Sequence, residues 1–132
     1  MKDYRNYIFD LYGTLVDIGV DESDRRLWEH MSLFYGYYGA QYEPEELHRA
    51  YVASVSDRDR KLREEYAVKY AHESHPEILY DEVFRDLYAD RGIVPDQPLV
   101  LHTAQMFRAC SVKYVRLYAH AKELLEALRA AG

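Results

Sequence analysis

The pattern of hydrophobic and polar positions predicts one strand followed by helices. Apolar and aromatic side chains dominate residues 4–9, which we predict to form the one strand of the chain. After Asp17 the apolar residues return every three or four positions, as they do on the buried face of a helix, and this spacing continues through residue 131. We therefore predict a mainly helical chain.

The helical spacing divides into five predicted helices, separated by breaks that contain glycine or proline. Their predicted spans are about Glu22–Tyr37, Pro44–Tyr70, Glu77–Arg91, Pro98–Val112 and Ala121–Ala131. We predict Asp21 or Asp24 as the N-cap of the first helix, because a carboxylate there accepts a hydrogen bond from a backbone N–H. Pro44 suits the first position of a helix, where a missing N–H costs nothing. The charged run at residues 57–61 is predicted to be a solvated face with opposite charges at i,i+4, where the helix can bend.

Charge and composition narrow the classes of function. The 132 residues include 17 Lys and Arg and 23 Asp and Glu, a formal net charge of −6, and the basic residues form no stripe, which argues against a nucleic-acid partner. No apolar run is long enough to span a bilayer, and residues 1–6 lack the pattern of a signal peptide. The single cysteine, Cys110, cannot form an internal disulfide, so we expect a cytoplasmic protein.

Cysteine, histidine and tyrosine often form reactive or binding sites, but each has an ordinary structural interpretation in this sequence. Cys110 lies in an apolar helical stretch and is interpreted as a small core thiol. His72 and His75 are three positions apart, whereas the HExxH zinc helix needs four, so we predict a helix-ending loop there and no metal. The 14 tyrosines are interpreted as bulk at the rim of the core, with a tyrosine-lined binding surface as the alternative.

Residues 7–17 carry the strongest chemical signal. Asp10 directly follows the predicted strand, at the edge where open α/β sheets place ligands. Gly13 allows the backbone to turn sharply and to approach a bound group. A carboxylate in this position is arranged to act as a nucleophile. The alternative is a buried strand followed by an ordinary Asp/Gly turn.

The run Phe9–Leu15, FDLYGTL, resembles the first motif of the haloacid dehalogenase-like (HAD) hydrolase superfamily. It is most similar to the form with tyrosine two residues after the aspartate, as in the L-2-haloacid dehalogenases. The order of elements is also similar, because in that family a helical cap is inserted soon after the first strand. The resemblance implies a HAD-like α/β fold, in which a Rossmann-like core carries a helical cap. Residues 1–20 and 116–132 would then be parts of the core and residues 21–115 the cap.

The resemblance implies a role for each residue of the motif. Asp10 would be the nucleophile, forming a covalent ester or acyl phosphate that water then hydrolyses. Thr14 and the amide of Gly13 would position the nucleophile or the substrate. Tyr12 stands where the phosphatases carry a proton-donating aspartate, and a phenol with a pKa of about 10 is a poor acid near neutrality. Carbon–halogen cleavage, whose halide needs no proton, therefore fits better than phosphoester hydrolysis. Both reactions stay open, because phosphates with good leaving groups also need little acid.

Cofactor and substrate binding also follow from the resemblance. A dehalogenase-like reaction needs no cofactor, whereas a phosphatase-like one would place magnesium on the Asp10 carboxylate and the Tyr12 backbone oxygen. The substrate would be a small molecule. In the dehalogenases a cap arginine grips the substrate carboxylate. Arg25, Arg26 and Arg49 are candidates, although none of them lies in a matching motif.

The later motifs of the family match nothing in these residues: a strand ending in serine or threonine, a lysine and an acidic cluster. We therefore expect the N-terminal part of such a hydrolase, inactive by itself. The alternative, from another class, is a non-catalytic helical interaction module with a remnant motif. An unpaired strand leaves Tyr7, Ile8 and Phe9 to be hidden against the helices or against a second copy in a homodimer.

Overall fold

The computed structural model describes residues 6–69 and 77–131. In chain order the elements are β1 (Val16–Val20), α1 (Arg25–Tyr37), α2 (Pro44–Lys69), α3 (Tyr80–Ala89), α4 (Gln97–Ser111), β2 (Val112–Leu117) and α5 (Ala121–Ala130). The prediction of a mainly helical chain is confirmed. All five predicted helices are present, and their ends differ from the predicted ends by three residues at most.

Two predicted helix starts are confirmed. Asp24 is the N-cap of α1, where its carboxylate accepts a hydrogen bond of 2.9 Å from the backbone N–H of Arg26. Pro44 is the first residue of α2. Both signals act within a few residues of their own position, so they can be read without knowledge of the tertiary structure.

The charged run of α2 is a solvated face only in part, because Arg58 turns to α3 and binds Asp86 there, whereas the other charged residues of the run pair within α2. The i,i+4 pairs Asp57–Lys61 and Asp59–Arg63 are formed, at 2.6 and 2.8 Å. The helix continues through this run without interruption. Exposed pairs of this kind contribute little to the free energy of unfolding, because solvent and salt screen them, so they keep the helix soluble more than they hold the fold together.

The predicted strand over residues 4–9 is wrong for the residues that the structure describes. Residues 6–10 have no regular secondary structure, and Tyr4 and Arg5 lie outside the described residues. Ile8 is 96% exposed, and Tyr7 and Phe9 are exposed too, so these side chains are not hidden against the helices. A strand forms only where a neighbour takes its N–H and C=O groups. Residues 16–20, which we expected to lie near or in helical sequence, find such a neighbour in β2.

The two strands form an antiparallel ribbon. Val16 pairs with Leu117 and Ile18 with Val115, so these four aliphatic side chains lie on one face. The other face carries the pairs Asp17–Arg116 and Gly19–Tyr114. The register shifts at Gly19/Val20. Because the paired residues are about 100 positions apart, the ribbon joins the two distant ends of the described chain.

The chain divides into two compact units. The stem unit consists of Met1–Glu22 and Ser111–Gly132, of which residues 6–22 and 111–131 are described, and the helical unit is Ser23–Cys110. The helical unit is therefore an insertion between β1 and β2, and the Asp21 amide closes the ladder by donating to the Ser111 carbonyl at 2.9 Å. We predicted boundaries after residues 20 and 115. The identification of the two units with a partial core and a cap stays a prediction.

The core lies in the helical unit and is rich in aromatic side chains. Trp28 packs on Tyr51 and on Phe107, with ring centroids 5.0 and 5.9 Å apart, and Phe107 packs on Phe84 at 5.4 Å. Aliphatic residues fill the remaining volume. The buried apolar side chains of these helices include Leu27, Met31, Leu47, Val83, Leu87 and Val100. No helix of the described part combines the length and apolar character needed to cross a bilayer.

Candidate functional site

Asp10 stands at the entrance of a tight loop and is exposed to solvent. The loop is closed by backbone hydrogen bonds, because the Leu11 carbonyl accepts from the amides of Leu15 (3.0 Å) and Val16 (2.8 Å). Gly13 has φ +81°, a left-handed conformation that glycine adopts without a side-chain penalty. The turn that we predicted at Gly13 is therefore present, although it follows an irregular segment rather than a strand.

The amide of Gly13 has an internal partner in this loop. It donates to the carbonyl of Val16 at 2.8 Å. To hold a substrate, as the resemblance implies, this amide would have to exchange that bond for one to the ligand. Replacing one hydrogen bond by another costs little when the new acceptor is charged, as a carboxylate or phosphate is.

The structure places the candidate residues Asp10, Tyr12 and Thr14 within five positions of one another, all exposed. In the described part, no hydrogen bond or ion pair links their side chains. The loop therefore exposes a carboxylate, a phenol and a hydroxyl to solvent, and no described contact fixes one of them against another. Chemically, it offers an accessible nucleophile that does not have to break an internal salt bridge before it reacts.

Next to this loop, the ribbon holds an ion pair that the sequence pattern did not identify. Arg116 binds the Asp17 carboxylate with Nε at 2.8 Å and Nη2 at 2.7 Å, and the Tyr114 hydroxyl lies 3.5 Å from the same carboxylate. Hydrogen bonding to Asp17 raises the pKa of Arg116. The Arg116 guanidinium also lies over the Tyr114 ring, 4.7 Å from its centroid.

A glycine opposite Tyr114 makes this arrangement possible. A Cβ atom at Gly19 would overlap the Tyr114 ring, so the aromatic side chain covers the space that a side chain at position 19 would occupy. The alternating positions of Asp17, Gly19, Tyr114 and Arg116 identify the cross-strand pairs only if both segments are already known to be strands. We predicted neither segment as a strand, because residues 4–9 were the one strand that the pattern indicated.

The three candidate arginines lie in the helical unit and are exposed. Arg25 already binds two carboxylates, Glu29 at 2.9 Å and Glu45 at 3.8 Å. An anionic substrate would have to compete with these acids for the guanidinium. Arg26 contributes its backbone to the N-cap of α1, and Arg49 lies on an exposed face of α2. Their assignment to substrate binding stays a prediction.

The helical unit contains open clefts of its own. One of about 240 Å³ lies where α1 and α2 begin, beside the stacked rings of Trp28 and His48, whose centroids are 4.5 Å apart. Another, of about 660 Å³, lies along α1 beside Leu33 and Tyr37. Tyr37 is 84% exposed, so the α1 surface offers an accessible aromatic side chain of the kind expected for a tyrosine-lined binding surface.

Cys110 is partly buried, and its Sγ lies 3.9 Å from Nδ1 of His30. As predicted, this thiol packs against the hydrophobic core, although it is only partly buried. In the described part of the chain, no group of three or more His, Cys, Asp or Glu residues could hold a metal ion. Asp10 would be the carboxylate that the loop offers to magnesium, and the assignment of that site stays a prediction. His72 and His75 lie outside the described residues.

Comparisons with protein-family models, with curated proteins and with solved structures found no match for this chain.

Proposed function

We propose that these residues form the nucleophile segment and the helical cap of a HAD-like hydrolase. The supporting observation is the FDLYGTL run, with Asp10 exposed at the entrance of a glycine turn. A second support is the topology, because a helical unit is inserted between two paired strands immediately after this run. The proposal assigns the nucleophile and the cap to these residues. The serine or threonine, the lysine and the acidic cluster of the family have no counterpart in the printed sequence.

The proposed reaction begins with attack by an Asp10 carboxylate oxygen. With a haloacid, the oxygen bonds to the carbon that carries the halogen and the halide leaves with the electron pair of the broken bond. Water then attacks the resulting ester, which releases a hydroxy acid and a proton and restores the carboxylate. Tyr12 is not required to donate a proton in either step, which favours this reaction over phosphoester hydrolysis.

The experiment compares hydrolysis of 2-chloropropionate and of p-nitrophenyl phosphate. It uses both these 132 residues and the full product of the reading frame that contains them. We expect the full product to hydrolyse one of the two substrates and Asp10→Asn to lower kcat by at least about a thousandfold, because the nucleophile is lost. Glu123→Gln, which neutralises an exposed carboxylate of α5, serves as the matched control and should retain activity. Activity that survives Asp10→Asn would refute the role of Asp10.

The alternative is a non-catalytic helical interaction module. The observation that favours it is the exposed apolar surface of α1, where Leu33 is 73% and Tyr37 84% exposed. The same assay separates the two functions. A module with a remnant motif would hydrolyse neither substrate in either form of the protein, whatever residue stands at position 10.

A further inference from the structure

The Asp10 loop (residues 10–16) belongs to a part of the chain that is nearly without a core. Among the 38 described residues of the stem unit, only Ser111 and Ala121 are buried. A segment without packed side chains beneath it keeps one conformation only through hydrogen bonds and pairs of neighbouring side chains. The contacts between the loop and the ribbon therefore decide how the loop is presented.

The loop is closed on the first residue of β1. Val16 donates its amide to the Leu11 carbonyl and accepts from the Gly13 amide, both at 2.8 Å. From the chain just after β2, the Tyr118 amide donates to the Leu15 carbonyl at 3.1 Å. This second bond forms only in the register that β1 and β2 adopt here. The position of the loop on the ribbon thus depends on that register.

The two strand backbones by themselves define the register weakly. An isolated two-stranded ribbon is marginally stable, and this ladder is irregular at Gly19/Val20. In such a ribbon the side-chain pairs across the strands select the register. The aliphatic pairs Val16–Leu117 and Ile18–Val115 select it poorly, because a slip of two residues would still bring aliphatic side chains together.

The opposite face carries contacts that are specific to one register. Its four residues, Asp17, Gly19, Tyr114 and Arg116, form what we call the ribbon cluster. One oxygen of the Asp17 carboxylate accepts from Nε and Nη2 of Arg116 at 2.8 and 2.7 Å, and the other lies 3.5 Å from the Tyr114 hydroxyl. The Tyr114 ring fills the space that Gly19 leaves free, and the Arg116 guanidinium covers the ring. A slip of two residues would move Arg116 away from Asp17 and set the Tyr114 ring against an aspartate.

We propose that Asp17, Arg116 and Tyr114 are positioning residues for the Asp10 loop. The ribbon cluster keeps β1 and β2 in the register that closes the loop, and through the loop backbone it holds the proposed nucleophile in place. This inference deepens the proposed function and rests on it for its catalytic consequence. The three side chains act through the loop and are assigned no contact with substrate.

Exchange of backbone amides with water, followed by NMR on the 132-residue chain, tests the positioning without an assay of activity. Asp17→Asn and Arg116→Gln should each raise the exchange rates of the Gly13 and Val16 amides at least about threefold, because a weakened pair lets the ribbon open more often. The expected change is modest because Arg116 is largely exposed and solvent screens the pair. The double variant should exchange no faster than either single variant, since both residues act through the same contact.

Lys122→Gln is the matched control, because it removes the charge of another exposed ion pair of the stem unit, with Glu126 at 3.7 Å. It should leave the exchange rates of both loop amides unchanged. Circular dichroism verifies that every variant keeps the helical content of the wild type. Wild-type exchange rates in Asp17→Asn and Arg116→Gln would overturn the proposal, as would effects of the two substitutions that add in the double variant.

The catalytic consequence is measured with the full product of the reading frame and the substrate that it hydrolyses. Arg116→Gln should lower kcat at least about threefold and leave KM within about twofold, because a displaced nucleophile slows the chemical step without removing a substrate contact. A raised KM at unchanged kcat would overturn the positioning role and make Arg116 a substrate contact. A full product that hydrolyses neither substrate would refute the proposed function, whereas the amide exchange rates would still decide whether the ribbon cluster holds the loop.

Discussion

At the residue scale, the buried tyrosines show that one side chain can fill the core with its ring and cap a helix with its hydroxyl. We interpreted them as rim residues with hydroxyls toward water, but Tyr35 and Tyr88 are fully buried. The Tyr35 hydroxyl donates a hydrogen bond to the Phe84 carbonyl at 3.3 Å, and the Tyr88 and Thr103 hydroxyls are 3.2 Å apart. Tyr42 donates to the Leu87 carbonyl at 2.6 Å, near the end of α3. Carbonyls at a helix end lack intrahelical donors, so Tyr42 caps α3 from a distant segment.

We predict that Tyr42→Phe lowers the free energy of unfolding by about 1–2 kcal/mol, because the Leu87 carbonyl would be buried without its donor. Tyr37→Phe also removes a phenolic hydroxyl, but from a side chain that is 84% exposed, and it should change the free energy of unfolding by less than about 0.5 kcal/mol. Urea denaturation followed by circular dichroism measures both. Equal effects of the two substitutions would show that the hydrogen bond to Leu87 makes no net contribution to the free energy of unfolding.

At the element scale, one carboxylate joins α2 to α3. Asp86 of α3 accepts from the Ser54 hydroxyl at 2.8 Å and from Arg58 through two bonds, Nε at 2.6 Å and Nη2 at 2.7 Å. The bidentate pairing fixes the relative positions of the two helices better than a single contact would. Hydrogen bonding to Arg58 lowers the pKa of Asp86, with burial acting against the shift. The sequence pattern assigned both helices without indicating this contact between them.

We predict that Asp86→Asn lowers the free energy of unfolding by about 1 kcal/mol at neutral pH, a value reduced for the partial exposure of the pair. A carboxyl with a lowered pKa stabilises the fold above its unfolded pKa of about 4, and this contribution is lost as the pH falls through the folded pKa. The difference from wild type should therefore be constant above about pH 5 and shrink below about pH 4.

The matched control for Asp86 is Asp59→Asn, which breaks an exposed, solvent-screened pair within α2 and should lower the free energy of unfolding less than Asp86→Asn does. Denaturation curves at a series of pH values measure both variants. A difference between Asp86→Asn and wild type that persists unchanged in acid would show that packing, rather than charge, explains its cost.

At the scale of the whole molecule, stability is concentrated in the helical unit, where the aromatic core lies. Burial raises the pKa of Tyr35, of Tyr42 and of Tyr88, because their phenolate forms would lose hydration. A group whose pKa is raised by folding stabilises the protein below its unfolded pKa, here about 10, and the contribution is lost as the pH rises above that value. The helical unit should therefore lose stability in alkali.

We predict two steps in an alkaline titration of the 14 tyrosines, followed by tyrosinate absorbance. A first step, near the ordinary pKa of a phenol of about 10, should leave the helical signal unchanged. The buried tyrosines should ionise only at higher pH and together with the loss of helical circular dichroism. In strong denaturant all of them should titrate in one step. Complete ionisation with the helical signal intact would contradict the burial of Tyr35 and Tyr88.

The sequence by itself determined the features that depend on neighbouring residues. The five helices and the start of α2 at Pro44 follow from spacing and capping within one or two turns, and the same local signals narrowed the N-cap of α1 to Asp21 or Asp24. The glycine turn after Asp10 is equally local, since a positive φ at Gly13 is a property of that residue. These features could be placed before any tertiary contact was known.

Only the tertiary structure decided which apolar segment became a strand and where the buried hydroxyls found partners. Residues 6–9 and 16–20 are both apolar enough for a strand, but the second one pairs with β2, about 100 residues away along the chain. Likewise, Tyr42 caps a helix that begins almost 40 residues later. Pairing and capping at such separations depend on which backbone groups the packed helices bring together, and that information is not contained in any short window of sequence.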